Sequence, residues 1–432
     1  MQRIALVAFV LSIAIPAVAG GKQIIRKQRP VQNSYIVLLK DDYKGNCKGV
    51  AHQLARRHAG MVLDTWEHAL LGFAVAVDEA GAQAIAEDPR VLSVQEDAYA
   101  EPAQFCIAAC APYTQTISRC NDARVPWQLD RIDQPDLPLN GYYENTSRNA
   151  RNVDIYIIDS GVSPHSEFED DNGNSRLKAG YSFWGGPTTD ADGHGTRVAG
   201  MAAGKTSGVA KGADIIPVRV GNATTYPTET STIAGINWII QNHDSSPAVA
   251  NISLIFGGSS SLDSAANNLV ADGVIVVAAA GNANSDSCRY SPGRAASVIT
   301  VGATTKTDAK ASYSNHGSCI ALYAPGEGVG GAIHDQYQWL NCSPGWGGTS
   351  MASPLVAGVA ALAYGVYYNN GYTPTMIRNV LTNHAVRKVT GVPSGTTRLL
   401  QSSVTDWESA MCALPCTDPR CIGRSPCPSP DR

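Results

Sequence analysis

The chain has 432 residues, of which 44% are hydrophobic and 16% charged, with a formal net charge of −4 and a pI near 6.1. Such a length accommodates about two or three domains, and the near-neutral balance without a basic run gives no electrostatic footing for nucleic acid. Forty-one glycines among so few charges describe an α/β protein with many tight turns, not a disordered chain.

Arg3 precedes a largely apolar run, residues 4–15, and then Ala17-Val18-Ala19. This is the pattern of a signal peptide cut after Ala19. The run is too short to span a bilayer, and no later stretch reaches about 18 uninterrupted apolar residues. A secreted, soluble protein without membrane association is therefore expected. Eleven cysteines agree with an oxidising compartment. Cys47 precedes Ala103 and the other ten follow it, so removal of the leading segment would leave an even number.

Residues 20–101 form a first unit. β-branched and aromatic runs predict strands at 34–39, 72–77 and 91–95, with helices at 49–59 and 79–87. This order suggests a small α+β sandwich of the ferredoxin type, standing either as a binding module or, before a larger domain, as a prosegment. Residues 102–123 carry Cys106, Cys110 and Cys120 among small and polar residues and read as a linker. From Val125 onward strands at 153–158, 213–220, 248–254 and 274–280 alternate with helices at 195–203, 232–241 and 261–272. Short continuous apolar strands between helices indicate a parallel sheet covered on both faces, with chemistry at the carboxyl ends of its strands. The turn Gly347-Gly348-Thr349-Ser350 leads into an apolar helix, residues 355–368, with Pro354 expected in its first turn. After residue 403, Cys412, Cys416, Cys421 and Cys427 lie among Pro, Asp and Arg without periodicity. With no histidine and no C-x-x-C pair there, disulfides are favoured over zinc. The expected organisation is a signal peptide at 1–19, a propeptide at 20–101, a catalytic domain at 102–402 and a cysteine-rich tail at 403–432.

Four residues fall at the start or end of elements in the one parallel sheet. Asp159 follows the strand at 153–158, His194 lies between two glycines at the opening of a helix, Asn282 follows the strand at 274–280, and Ser350 opens the last helix. Singly they read as a turn aspartate, a loop histidine, a turn asparagine and a helix cap. Together they supply what acyl transfer needs. A serine hydroxyl attacks only once a base takes its proton, histidine titrates near the working pH, a carboxylate fixes the imidazole tautomer, and an amide donates to the oxyanion. The chain order Asp, His, Ser is that of subtilisin, whereas an α/β-hydrolase would run Ser, Asp, His with Gly-x-Ser-x-Gly.

Asp159-Ser160-Gly161, His194-Gly195-Thr196 and Gly348-Thr349-Ser350-Met351-Ala352-Ser353-Pro354, with Val125-Pro126-Trp127-Gln128-Leu129-Asp130-Arg131-Ile132-Asp133 as an opening, resemble the subtilisin-like serine proteases of the proteinase K and aqualysin branch. The resemblance covers residues 125 to about 400. It implies a secreted endopeptidase acting through an acyl-enzyme, with Ser350 as nucleophile, His194 as base and acid, Asp159 as orienting carboxylate and Asn282 as oxyanion donor. It also implies that the first unit is an inhibitory propeptide removed autocatalytically, with the cut within a few residues of Glu101 and before Cys106. A Cys288–Cys319 disulfide is implied by the likeness of the surrounding residues to aqualysin.

The sequence departs from the family in three places. The substrate edge that is usually Ser-Leu-Gly-Gly here reads Ser253-Leu254-Ile255-Phe256, so Ile255 is expected to fill part of the primary pocket, whose other wall is Ala279-Ala280-Gly281. A small residue before the scissile bond is the corresponding expectation. The opposite edge, usually Gly-x-Gly, falls on Thr225-Tyr226-Pro227, where proline has no N–H for the substrate backbone. The aspartate of the proteinase K type of calcium site is replaced by Ala321, so no metal site is expected there and no cofactor is required for the chemistry. Asp170, Asp171 and Asp190 remain as carboxylates for calcium elsewhere. Asn145, Asn222 and Asn341 are glycosylation candidates, whereas Asn251 lies in an expected buried strand. Peptide or protein substrates and the chain's own propeptide are the expected partners, and a monomer is the expected state. Two alternatives stay open: a non-catalytic binding protein on the same fold, and a secreted esterase.

Overall fold

A computed structural model describes residues 22–101, 105–106, 125–143, 149–221, 226–332, 339–340 and 346–402; of residues 105, 106, 339, 340 and 346 only the backbone is considered. The expected signal peptide, most of the linker at 102–123, the tail at 403–432 and the three glycosylation candidates Asn145, Asn222 and Asn341 lie outside the described residues.

The first unit is a four-stranded antiparallel sheet of Pro30–Leu39, Met61–Trp66, Gly72–Ala76 and Val91–Ala98, carrying the helices Cys47–Arg57 and Glu79–Glu87 on one face. The strands lie in the order second, third, first, fourth, as expected of the ferredoxin type. The run Tyr35 to Leu39 is apolar throughout because both of its faces are covered. Tyr35, Val37 and Leu39 pack with Val50, Leu54 and Ile85 of the unit's own helices. Ile36 instead joins a core shared with the second unit. Sequence patterning misses the Met61–Trp66 strand because it is an edge, with Met61 and Leu63 exposed and too few buried positions to show alternation.

The second unit is built on a nine-stranded sheet in which eight strands run parallel and Val386–Arg387 adds an antiparallel edge. Its central strands are, in spatial order, Leu322–Pro325, Ile299–Thr304, Val274–Ala279, Ala248–Ile252, Asp154–Asp159 and Asp214–Arg219. Helices cover both faces, which is why the strands read as mostly apolar runs rather than alternating ones. His194–Ala203 and Thr349–Tyr367 pack on one face, and Glu229–Asn242 and Ser260–Ala271 on the other. The Thr349–Asn370 stretch is long and apolar enough to cross a membrane, but it is a core helix, buried along nearly its whole length.

The two units share an apolar core. Ile36, Trp66, Ala69, Leu70 and Ala74 of the first pack with residues of the Glu229–Asn242 and Ser260–Ala271 helices. Polar contacts gather at the amino ends of both helices. Thr230 N donates to Asp97 Oδ1 (3.1 Å), Lys27 Nζ pairs with Glu229 Oε1 (2.8 Å), and Gln95 Nε2 donates to Glu229 Oε2 (2.6 Å) while its Oε1 accepts from Ser261 Oγ (3.0 Å). The first helix starts at Glu229, three residues before the expected start. Thr228 and Ser231 form a capping box there and Asp97 satisfies another orphan N–H, so first-unit contacts extend the helix.

Candidate active site

Asp159 is the last residue of its strand, and His194 is the first residue of its helix. Gly195 allows them to meet: a Cβ there would stand 2.1 Å from the Gly161 carbonyl oxygen and 3.1 Å from Asp159 Cβ. His194 Nδ1 lies 2.8 Å and 3.0 Å from the two carboxylate oxygens of Asp159. Burial pulls the His194 pKa down, but the charge of Asp159 and its hydrogen bond, aided by Asp192 and Asp190, outweigh burial and hold it above the ordinary 6.5. Its Nε2 is buried and makes no hydrogen bond among the described residues.

Asp190, considered above as a cation ligand, has another use. Its carboxylate accepts from Gly193 N (2.8 Å), Thr196 N (2.8 Å), Thr196 Oγ1 (2.7 Å) and Ser160 Oγ (2.8 Å). Ser160 Oγ in turn accepts from Gly195 N (3.0 Å). Asp190 therefore ties the turn after Asp159 to the opening of the His194 helix. Sequence reasoning missed this role, although an aspartate four residues before a helical histidine is a readable capping signal.

The helix carrying Ser350 begins at Thr349, several residues earlier than the apolar pattern suggests, and Pro354 lies inside it rather than in its first turn. The N-cap is Gly348 at φ 155°, so Ser350 is not a capping residue. Proline at 354 has no N–H for the Ser350 carbonyl four residues back. Ser253 Oγ supplies the missing donor to Ser350 O (2.9 Å), and is itself held by Asn251 Nδ2 (2.9 Å) and Ser353 Oγ (3.0 Å). Ser350 Oγ donates to Ser253 O (3.2 Å). Asn251 is fully buried in its strand, as the sequence suggested.

Asn282 stands just beyond the Val274–Ala279 strand. Its Oδ1 accepts from Thr349 N (2.9 Å) and Thr349 Oγ1 (3.0 Å), and Thr349 Oγ1 accepts from Gly281 N (3.0 Å). The acceptor end of the amide is thus committed to the residue before Ser350, and its donor end is the one suited to an oxyanion. Thr349 is a further residue that the motif alone did not single out.

The two expected substrate edges flank a strand supplied by the chain itself. Ala100 N donates to Pro227 O (2.8 Å), Glu101 N donates to Ile255 O (2.8 Å), and Tyr99 bridges Thr228 in the antiparallel sense. Pro227 takes part through its carbonyl, so its missing N–H does not prevent pairing. Leu254, Ile255, Ala279 and Ala280 are buried. Gly281 lies at φ 104°, and a Cβ there would stand 3.1 Å from Ile255 Cδ1, so Ile255 reaches across to the opposite wall.

Cys288 and Cys319 form a disulfide with Cα atoms 5.3 Å apart. Ala321 is buried and offers no side-chain oxygen, so the residues at that position do not fit a carboxylate-held cation. Asp170 accepts from Asn172 N and Asn174 N (both 2.8 Å), and Asp171 faces Lys205 at 3.8 Å.

The subtilase family matches residues 150–404, and the peptidase inhibitor I9 family matches residues 34–102. An extracellular serine proteinase of Thermus sp. (strain Rt41A) is 41% identical over 324 residues, covering 74% of this chain and 72% of that protein. The alkaline serine exoprotease A of Vibrio alginolyticus is 36% identical over 375 residues, covering 86% of this chain and 64% of that one. The crystal structure of a cold-adapted subtilisin-like serine proteinase superposes with a TM-score of 0.59 at 42% identity, covering 65% of this chain and 99% of that chain.

Proposed function

The chain belongs to the subtilase family, and we propose that it is an extracellular serine endopeptidase made as a zymogen, with residues 20–101 as its inhibitory propeptide and Ser350, His194 and Asp159 as its catalytic residues. The observation that carries this reading is the Asp159–His194 pair with the unpaired Nε2, set at the carboxyl edge of the sheet together with Ser350. Asp159 holds the neutral imidazole with its proton on Nδ1, so Nε2 is the lone pair that takes the Ser350 proton. Ser350 Oγ then attacks a peptide carbonyl. The oxyanion is met by the Asn282 amide and by N–H groups at the start of the Thr349–Tyr367 helix, where the dipole favours negative charge. Protonated His194 delivers its proton to the leaving amine, and water releases the acyl group by the reverse path.

A peptide substrate is supported by the strand Tyr99 to Glu101 lying between the edges at Pro227 and Ile255, since backbone pairing on both sides is how an extended peptide is held. An ester would not use these edges. Peptides and the propeptide are the partners that this chemistry takes; a monomer requiring no cofactor and binding neither nucleic acid nor membrane completes the proposal.

Fluorophosphonate labelling of the secreted protein tests the assignment. Labelling that is lost in Ser350→Ala, together with cleavage of unblocked internal peptide bonds, is expected. A processed protein that neither labels nor cleaves would be a binding protein on this fold, and one that labels but hydrolyses only esters would be an esterase.

A further inference from the structure

We infer that Asn315 is a positioning residue for the reaction, holding the turn that carries Asn282 in place for the oxyanion; this rests on Asn282 as the oxyanion donor and names what keeps that donor still.

An amide aimed at an oxyanion helps most when its place is fixed before the charge appears. Asn282 stands beyond the end of the Val274–Ala279 strand, outside that strand's own pairing. Thr349 fixes one end of its side chain through Oδ1. That contact leaves open what fixes the backbone from which the side chain hangs.

Asn315 does so from a fully buried position. On the chain before Asn282, Asn315 Nδ2 donates to Ala280 O (2.8 Å) and Asn315 N donates to Gly281 O (2.9 Å). On the chain after it, Asn315 Oδ1 accepts from Ala283 N (3.0 Å) and Ser285 N (2.9 Å). Main-chain groups on both sides of Asn282 thus end on one residue. A primary amide suits this task, because it joins donor and acceptor in one short planar group. Gly281, at φ 104°, lets the turn close on it: a Cβ there would stand 2.4 Å from Asn315 Nδ2.

Asn315 is itself anchored to the sheet and to the other half of the site. Ser314 Oγ donates to Asn315 O (3.0 Å) and accepts from Ala303 N (3.0 Å) of the Ile299–Thr304 strand. Tyr313 Oη donates to Gly326 O (2.7 Å), the carbonyl that also accepts from Gly348 N (2.9 Å) at the cap of the Ser350 helix. The run Tyr313 to Asn315 therefore holds in one frame the Asn282 amide and the N–H groups that open the Thr349–Tyr367 helix.

The loop after Asn282 has further holds. Asn284 N donates to Tyr313 O (2.7 Å), His316 N to Ser285 O (3.0 Å) and Ser287 N to His316 O (2.8 Å), and the Cys288–Cys319 bond follows. None of these uses the Asn315 side chain, so its truncation loosens the turn without releasing the loop. The side chain bonds to protein on both flanks of Asn282 and acts through Asn282 rather than on the substrate.

Steady-state hydrolysis of a peptide p-nitroanilide by the mature secreted protein tests this, with wild type, Asn315→Ala, Asn282→Ala and the double variant compared. Variants too slow to process themselves are matured by immobilised wild type. Asn282→Ala is expected to lower kcat about 10²–10³-fold. Asn315→Ala is expected to lower it about 10–100-fold, with KM in both within about threefold. In the double variant kcat should be no lower than in Asn282→Ala alone, since nothing is left to position. Losses that multiply would overturn the inference, as would an unchanged kcat in Asn315→Ala or a loss confined to KM. If Asn315→Ala yields no folded protein, the isosteric Asn315→Asp, which loses the donor to Ala280 O, takes its place with the same expectation. Failure of both to fold would overturn the inference by making Asn315 a folding brace. An active wild type with kcat unchanged in Asn282→Ala would remove the oxyanion assignment and this inference, leaving the peptidase reading standing. A wild type that neither cleaves nor labels with fluorophosphonate would remove all three.

Discussion

At Ser350 the sequence places the proposed nucleophile in a helix that contains a proline four residues later, and Ser253, just beyond the neighbouring strand, repairs the damage. The Ser350 carbonyl, deprived of its helical donor by Pro354, is bonded instead by Ser253 Oγ. Ser253→Ala is therefore expected to cost about 1–3 kcal/mol through an unpaired buried carbonyl, together with a fall in kcat. Pro354→Ala, which restores an N–H, should recover part of that loss in the double variant. Denaturant midpoints of the four proteins of the cycle check it, and strict additivity would refute the coupling. His194 gives the second expectation at this scale. A general base works only when neutral, and the net effect of burial opposed by Asp159 raises its pKa. The acid limb of kcat/KM should accordingly lie above pH 6.5. Asp159→Asn should move that limb downward and lower kcat by about 10⁴-fold, as read from pH–rate profiles.

At the scale of elements, helix ends do most of the work. The Thr349–Tyr367 helix presents Ser350, the His194–Ala203 helix presents the proposed base, and the Glu229–Asn242 and Ser260–Ala271 helices receive the propeptide at their amino ends. Glu229 lies in that interface, facing Lys27, Gln95 and Ser259 with Asp97 nearby. Burial raises its pKa from 4.5 to about 7 despite Lys27, and burial raises that of Asp97 too. A raised carboxylate favours its protonated form in the complex. The propeptide should thus bind most tightly below pH 4.5 and more weakly as pH rises through 7. Titrating residues 20–101 onto the fluorophosphonate-blocked mature enzyme at stepped pH measures this, and Glu229→Gln should flatten the dependence. Affinity that rises with pH would refute it.

At the scale of the whole molecule, the Cys288–Cys319 bond closes a loop between residues 31 apart. In the loop-entropy description that is worth about 3–4 kcal/mol. Replacing both cysteines by serine is expected to lower the unfolding midpoint by roughly 5–10 °C, measured calorimetrically. The parallel sheet was legible because Ile155 to Ile158 and Val274 to Ala279 are apolar without a break, which only double-sided burial demands. The placing of Asp159 at a strand end, and of His194 and Ser350 at helix starts, was legible because each sits in a short glycine-containing motif. The Met61–Trp66 edge strand was not, since it buries too few positions to show alternation, and the true start of the Ser350 helix was not, since it is bonded to Asn282 and Gly326, distant in the chain.

What the sequence by itself determined is the chemistry and the architecture: local motifs and short-range apolar periodicity are written in neighbouring residues. What only the tertiary structure decided is how those parts meet. Asp190 became a brace, Ser253 a substitute donor, Asp97 a helix cap and Pro227 a carbonyl partner because each touches chain that is remote in sequence. The segment Tyr99 to Glu101 likewise has no local pattern that says which edges it pairs with; its place between Pro227 and Ile255 is a property of the folded chain alone.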